Sequence, residues 1–210
     1  MTRHVINVKV CHNLGVMARP GLTDRRKAQT RRDIAEKALE LFMHDGYDAV
    51  SPQVIADAAG VSLRTFYRYF AAKDDVLVPI VADSVGELVG LIADRPRPEP
   101  LGVAVEAAVE QMEPRLGDEG VSALAHLLVA VPALAASVSV ELGRLEDALV
   151  LVVLARARRR TTEPDARVTA AIVIACVRTA LAAAGGTPPT PFYEALHHAL
   201  GRAAAGAGLS

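Results

Sequence analysis

Apolar residues recur at helical spacing through most of the chain, and glycine and proline cut that rhythm into segments. The first clear segment places Ile34, Ala38, Leu41 and Phe42 on one face and is stopped by Gly46. A short stripe of Ile55, Ala56 and Ala59 follows. Ser51 introduces it as an N-cap, and Pro52 sits at the first helical position, where its missing N–H costs nothing. Gly60 ends this helix and Ser62 caps the next, whose inner face carries Phe66 and Tyr69. Small Ala56 before the glycine and bulky Phe66 after it suit two helices crossing steeply at a tight turn. The pattern predicts a helix-turn-helix, with the second helix shaped to enter a DNA major groove.

The remaining segments are also helical. Leu77, Ile80, Val81, Ser84, Val85, Leu88, Leu91 and Ile92 predict one long helix over 74–94, a mechanical link between the two halves of the chain. The alternate prolines of 95–100 then break helix. Helices are expected over 101–112, 122–131, 132 to about 160, 165–184 and 190 to about 204, with Pro114, Gly117 and Gly120 marking one turn and 185–189 another. The expected fold is all-α with about nine helices, an N-terminal helix-turn-helix DNA-binding domain of three helices preceding a C-terminal helical domain. Residues 1–22 form an N-terminal extension, either a disordered tail or, given Met17, a misassigned start; 23–77 form the DNA-binding domain and 78–210 the second domain, with the boundary inside the 74–94 helix. The tail from Gly206 is expected to fray.

Composition narrows the function. Aromatics are 4% and charged residues 22% of the 210 residues, and the net charge of −1 with a pI of about 6.6 rules out a polycation. DNA binding must rest on local charge. Six basic residues, Arg19, Arg25, Arg26, Lys27, Arg31 and Arg32, stand against Asp24 just ahead of the first amphipathic segment. Cations there oppose the helix macrodipole unless an anion approaches, so the cluster, with Arg25, Arg26 and Lys27 at its centre, is expected to be an arm for phosphate or minor groove. On the second helix of the motif Leu63, Arg64, Thr65, Tyr67 and Arg68 face away from Phe66 and Tyr69. Ser51, Gln53 and Ser62 at the two helix starts, and Lys73 just beyond, complete the candidate DNA-facing set.

The stretch AGVSLRTFYRYFAAKDDVL, after a capped first helix ending in Gly46-Tyr47, resembles the DNA-binding domain of the TetR family of bacterial repressors. The resemblance spans roughly Arg25 to Leu77 and is architectural beyond that. It implies a dimer paired through its last two helices as a four-helix bundle, consistent with small Ala170, Ala171, Ala175 and Ala180 allowing close approach. It also implies a small-molecule pocket whose occupant moves the linking helix and spoils the match to an inverted-repeat, double-stranded operator.

Walls of Ala, Val and Leu suit a largely apolar effector. His126, Glu141, Arg144 and Arg178 are candidate anchors, though salt bridging explains each equally well. Arg156 to Arg160 close a helix and are read as caps for its carbonyls. Cys11 and Cys176 give neither a disulfide framework nor metal-ligand spacing and fit a reducing cytoplasm. No catalytic constellation, cofactor loop or metal cluster is legible, and no unbroken apolar run is long enough to span a bilayer. Val168 to Ala184 comes nearest, carries Arg178, and is read as a core helix. The expected protein is a ligand-responsive DNA-binding repressor. An effector-free activator or architectural protein, an apolar-ligand binder with a relic helix-turn-helix and, remotely, an enzyme stay open.

Overall fold

The computed structural model describes residues 22–156 and 161–206, and the expectations for 1–21, Cys11 and Arg19 included, and for 157–160 lie outside them. Among the described residues there are nine α-helices: α1 Leu22–Asp45, α2 Pro52–Ala58, α3 Leu63–Tyr69, α4 Val78–Asp94, α5 Leu101–Leu116, α6 Asp118–Ala130, α7 Pro132–Arg156, α8 Glu163–Ala184 and α9 Phe192–Ala204. A single 3-10 turn, Lys73–Asp75, lies between α3 and α4.

Several boundaries differ from the sequence reading for identifiable reasons. The chain is already helical at Leu22, so Arg25 to Arg32 belong to the body of α1 and do not form an arm ahead of it. The argument from an unfavourable macrodipole therefore does not apply to them. The linking helix begins at Val78, because Pro79 has no N–H to give and fits only a first helical turn. Pro114 is accommodated inside α5, and Gly120 inside α6; Gly117 alone makes the break. α8 starts earlier than expected, at Glu163, through a capping box in which Thr162 and Asp165 exchange side-chain and backbone hydrogen bonds.

One continuous apolar core runs from α1 to α9. In the first three helices it consists of Ile34, Ala38 and Phe42, Val50, Ile55 and Ala56, and Phe66 and Phe70. Val76 and Leu77 carry it into α4, which buries ten of its residues, mostly against α7 and α5. α8 and α9 pack together as a hairpin. Gly185 at the end of α8 is required by crowding: a Cβ there would stand 2.4 Å from the Ala125 carbonyl oxygen and 2.6 Å from a Val129 methyl, so α6 can cross only against glycine.

Among the described residues two helical stretches, 73–94 and 163–184, are long and apolar enough to cross a membrane, although neither is an unbroken apolar run. In the fold 61% of the first stretch's apolar window and 39% of the second's are buried inside the protein.

The end of α7 is held differently from expectation. Arg156 caps carbonyls, but those of another helix and its following loop. Its Nη1 donates to Ile92 O (3.0 Å) and Arg95 O (2.8 Å), and its Nη2 to Pro96 O and Glu99 O (both 3.1 Å). The proline loop after α4 has few backbone partners of its own, and one buried guanidinium fork supplies four donors to it.

Candidate nucleic-acid interface and interior cavity

Local chemistry sets the angle between α2 and α3. Ser51 Oγ accepts from Val54 N and Ser62 Oγ from Thr65 N, so each helix has its N-cap. At the turn Val61 N donates to Ala56 O (2.9 Å) and Gly60 N to Asp57 O (3.1 Å), the paired bonds of a Schellman ending. That ending needs a left-handed residue, and Gly60 supplies it with φ +67°. Phe66 is fully buried and stacks obliquely on Phe70, with ring centroids 5.3 Å apart. Burying Phe66 fixes the rotation of α3 and leaves Arg64, Tyr67 and Arg68 exposed on its opposite side. Tyr67 is 52% exposed, and Arg68 lies over the Tyr69 ring.

The loop after α1 is braced against the start of the 3-10 turn. Lys73 Nζ donates to Tyr47 O (2.9 Å) and Val50 O (3.1 Å) and sits 3.7 Å from the Tyr47 ring centroid. Tyr47 donates its phenol to Asp74, and burial together with that carboxylate pushes the phenol far above its ordinary pKa. Asp75 bonds Ser137 of α7 at 3.0 Å, and Arg32 of α1 bonds Asp83 of α4 at 2.6 Å. These two contacts tie the first three helices to the bundle.

A cavity of about 270 Å³ lies beside that joint. Leu39 of α1, Val81, Val85 and Leu88 of α4, Met112 of α5 and Leu196 of α9 are among its walls. Its charged lining is Arg32 and Glu36, which are partly exposed and mark where it meets the surface. α1 is thus common to the helix-turn-helix unit and to the cavity.

Residues 34–79 match the family model for bacterial regulatory proteins of the TetR family. This segment, the helix-turn-helix unit, is a TetR-family regulatory domain. It is 38% identical over 112 residues to the HTH-type transcriptional regulator TcmR of Streptomyces glaucescens, covering 51% of this chain and 49% of TcmR. The match therefore spans about half the length of that relative, and about a third of the others. The fold extends further. A TetR-family regulator structure from Mesorhizobium loti superposes with a TM-score of 0.56 at 21% identity, over 86% of this chain and 96% of that one. Thermus thermophilus FadR, a TetR-family repressor in complex with lauroyl-CoA, gives 0.52 at 24% identity, over 82% and 92%.

Within this TetR-family fold the sequence-derived site residues fall into distinct places. Arg25, Arg26 and Lys27 are exposed on the first turns of α1. Arg31 and Arg32, counted with them in the sequence, turn inward: Arg31 stacks over Phe70 (5.5 Å) and Arg32 pairs with Glu36 and Asp83. Arg64, Tyr67 and Arg68 share the outer face of α3, whereas Leu63 and Thr65 are half-buried and Thr65 shares a hydroxyl contact with Ser62. Ser51 and Ser62 are occupied as caps, and Gln53 bonds Asp57 at 2.7 Å on α2. Lys73 has an interior task, because its ammonium lies above the Tyr47 ring and between two carbonyls.

None of the four expected effector anchors lines the cavity. His126 is exposed and contacts the Ser122 carbonyl of its own helix, Glu141 pairs with Arg144 on α7, and Arg178 reaches the Ser139 carbonyl across α7 and α8. The residues that do mark the cavity, Arg32 and Glu36, carried no such signal, because they lie on the helix read as part of the DNA-facing unit. Among the described residues no group of His, Cys, Asp and Glu could hold a metal. Cys176 is buried, and burial raises its thiol pKa.

Proposed function

We propose that this chain is a dimeric DNA-binding repressor that leaves its operator when a small, largely apolar molecule enters the cavity beside α1 and α4. The observation that carries the DNA-binding part is the fixed rotation of α3, which directs Arg64, Tyr67 and Arg68 outward together. Exposed Arg25, Arg26 and Lys27 supply phosphate contacts from α1. Residues 23–77 act as the reading head and 78–210 as the sensing and pairing unit. The cavity supports ligand control because α1 and α4 both line it, so an occupant that favours one spacing of these helices changes the placement of α3. A repressor of similar fold in complex with lauroyl-CoA supports the same reading.

Dimerisation is assigned to α8 with a revised seam. Ala170 and Ala180, expected in the seam, are buried within the protomer, and so is Leu196 of α9. The outward stripe consists of Val168, Ile172 and Ala175, and α9 keeps its large apolar residues, Phe192, Tyr193, Leu196 and Leu200, inside.

The head is tested on a promoter fragment retained by the protein. Arg64→Ala is expected to cost roughly 1–3 kcal/mol of binding and to relax preference at one base position, as loss of a bidentate guanine contact does. Tyr67→Phe weakens binding evenly across sequences, as loss of a phosphate contact does. Unchanged affinity in both folded variants removes this face from the interface.

A further inference from the structure

We infer that a second, polar cavity, between the helix-turn-helix unit and α7, binds a small zwitterion of the amino-acid class. Its volume is about 330 Å³, and among the described residues it shares no wall with the apolar cavity. It therefore stands apart from the ligand-responsive reading above. Four charged residues line it: Arg31 of α1, Asp75 of the 3-10 turn, and Glu141 and Arg144 of α7, which are absent from the apolar cavity. Glu141 and Arg144 cancel each other in an ion pair of 3.1 Å. Arg31 and Asp75 have no such partner. The Arg31 guanidinium lies over the Phe70 ring at 5.5 Å, and its Nε is buried without a hydrogen bond. Asp75 accepts from Ser137 Oγ at 3.0 Å and from Ala72 N at 3.1 Å, both neutral donors. Among the described residues neither Arg31 nor Asp75 forms an ion pair, with each other or with any other group.

One unmatched cation and one unmatched anion thus face a common space without meeting. A buried N–H with no acceptor carries a desolvation cost that a bound oxygen relieves. A molecule with one carboxylate and one ammonium completes both pairs and leaves the charge of the walls balanced. A simple anion would satisfy Arg31 but bring a second negative charge to Asp75, and a simple cation would bring a second positive charge to Arg31. The carboxylate end belongs to Arg31, because two oxygens in a plane match two parallel N–H donors of a guanidinium. Phe70 and Val78, both buried, add an apolar wall that suits a short hydrocarbon side chain. Ser137 lines the cavity as well, so the occupant stands beside the Asp75–Ser137 contact that ties the first helices to the bundle.

Leucine, 4-methylpentanoate and 3-methylbutylammonium share a branched chain and carry both charges, only the negative or only the positive. They are titrated calorimetrically into the full-length protein. The cavity opens to solvent, so its ion pairs are screened, and leucine is expected to bind roughly three- to tenfold tighter than either singly charged probe. Arg31→Gln should bring leucine down to the level of 3-methylbutylammonium, and Arg31→Lys, which keeps the charge without the fork, should retain part of the preference. Dichroism checks that both variants fold, and the three probes on the unaltered protein decide the charge requirement whether or not they do. Equal binding of all three, tighter binding of a singly charged probe, or no binding of leucine at millimolar concentration overturns the inference. A leucine preference that survives Arg31→Gln in folded protein overturns it too. None of these results touches the apolar cavity or its reading.

Discussion

Val168→Glu combined with Ile172→Glu should convert the protein into a folded monomer whose operator affinity falls by roughly 10²–10⁴-fold, the range over which joining two binding units raises avidity. Val168 is 61% exposed and Ile172 45% exposed, one helical turn apart on α8 with Ala175 beside them. Val140 and Leu151 on α7 are exposed as well. The bonds from Arg178 to the Ser139 carbonyl and from Arg167 to Asp147 lay α7 alongside α8, which places these apolar residues on adjoining helices. Glutamates at exposed positions leave the protomer's core intact but desolvate badly in a seam, so far-UV dichroism should be unchanged while sedimentation reports the monomer. A charge at Ala180 or Leu196 would test folding instead, since both are buried. A monomer that still binds operator tightly refutes the paired-head mechanism, and a persistent dimer moves the interface to another face.

Arg156→Leu should lower the unfolding free energy by about 3–5 kcal/mol. Each hydrogen bond to a charged group contributes roughly 1.5–3 kcal/mol, and this side chain makes four, although the exposed loop carbonyls recover part of the loss from water. Leucine keeps most of the volume, so the change reports the donors and not a cavity. Arg156→Lys should recover little, because an ammonium cannot reproduce a planar fork reaching carbonyls from Ile92 to Glu99. Urea titration should show a lower midpoint with an unchanged slope. A loss under about 1 kcal/mol would mean that the proline loop holds its shape without the clamp.

The helix-turn-helix was legible in the sequence because local features specify it. Its caps lie within three residues of the amides they satisfy, and the Schellman ending at Gly60 is closed within six residues. Arg64, Tyr67 and Arg68 of α3 likewise follow once Phe66 is known to face in, whereas Leu63 and Thr65, expected with them, are half-buried. Long-range pairings were not legible. Lys73 read as a cation near the DNA, but its partners lie 23 and 26 residues earlier. Arg32 looked like part of a basic arm until Asp83, 51 residues away, met it on α4. Arg156 was read as a cap for the carbonyls of its own helix, and nothing in α7 shows that those it holds belong to residues 57–64 positions earlier. Periodicity finds the apolar stripe of α9 but does not say whether a sister helix or a partner subunit covers it, and here the protomer does. The cavity draws its walls from six helices, so its charged residues could not be picked out one segment at a time.

The central claim is that two copies of α3, carried by one dimer, read one inverted repeat. Nuclease protection by the purified full-length protein, on the genomic fragment it retains most tightly, tests this directly. Two protected half-sites related by inversion are expected, their centres one helical turn or a multiple apart at roughly 34–36 Å per turn. A single protected half-site at saturating protein, or two in direct repeat, would contradict the claim.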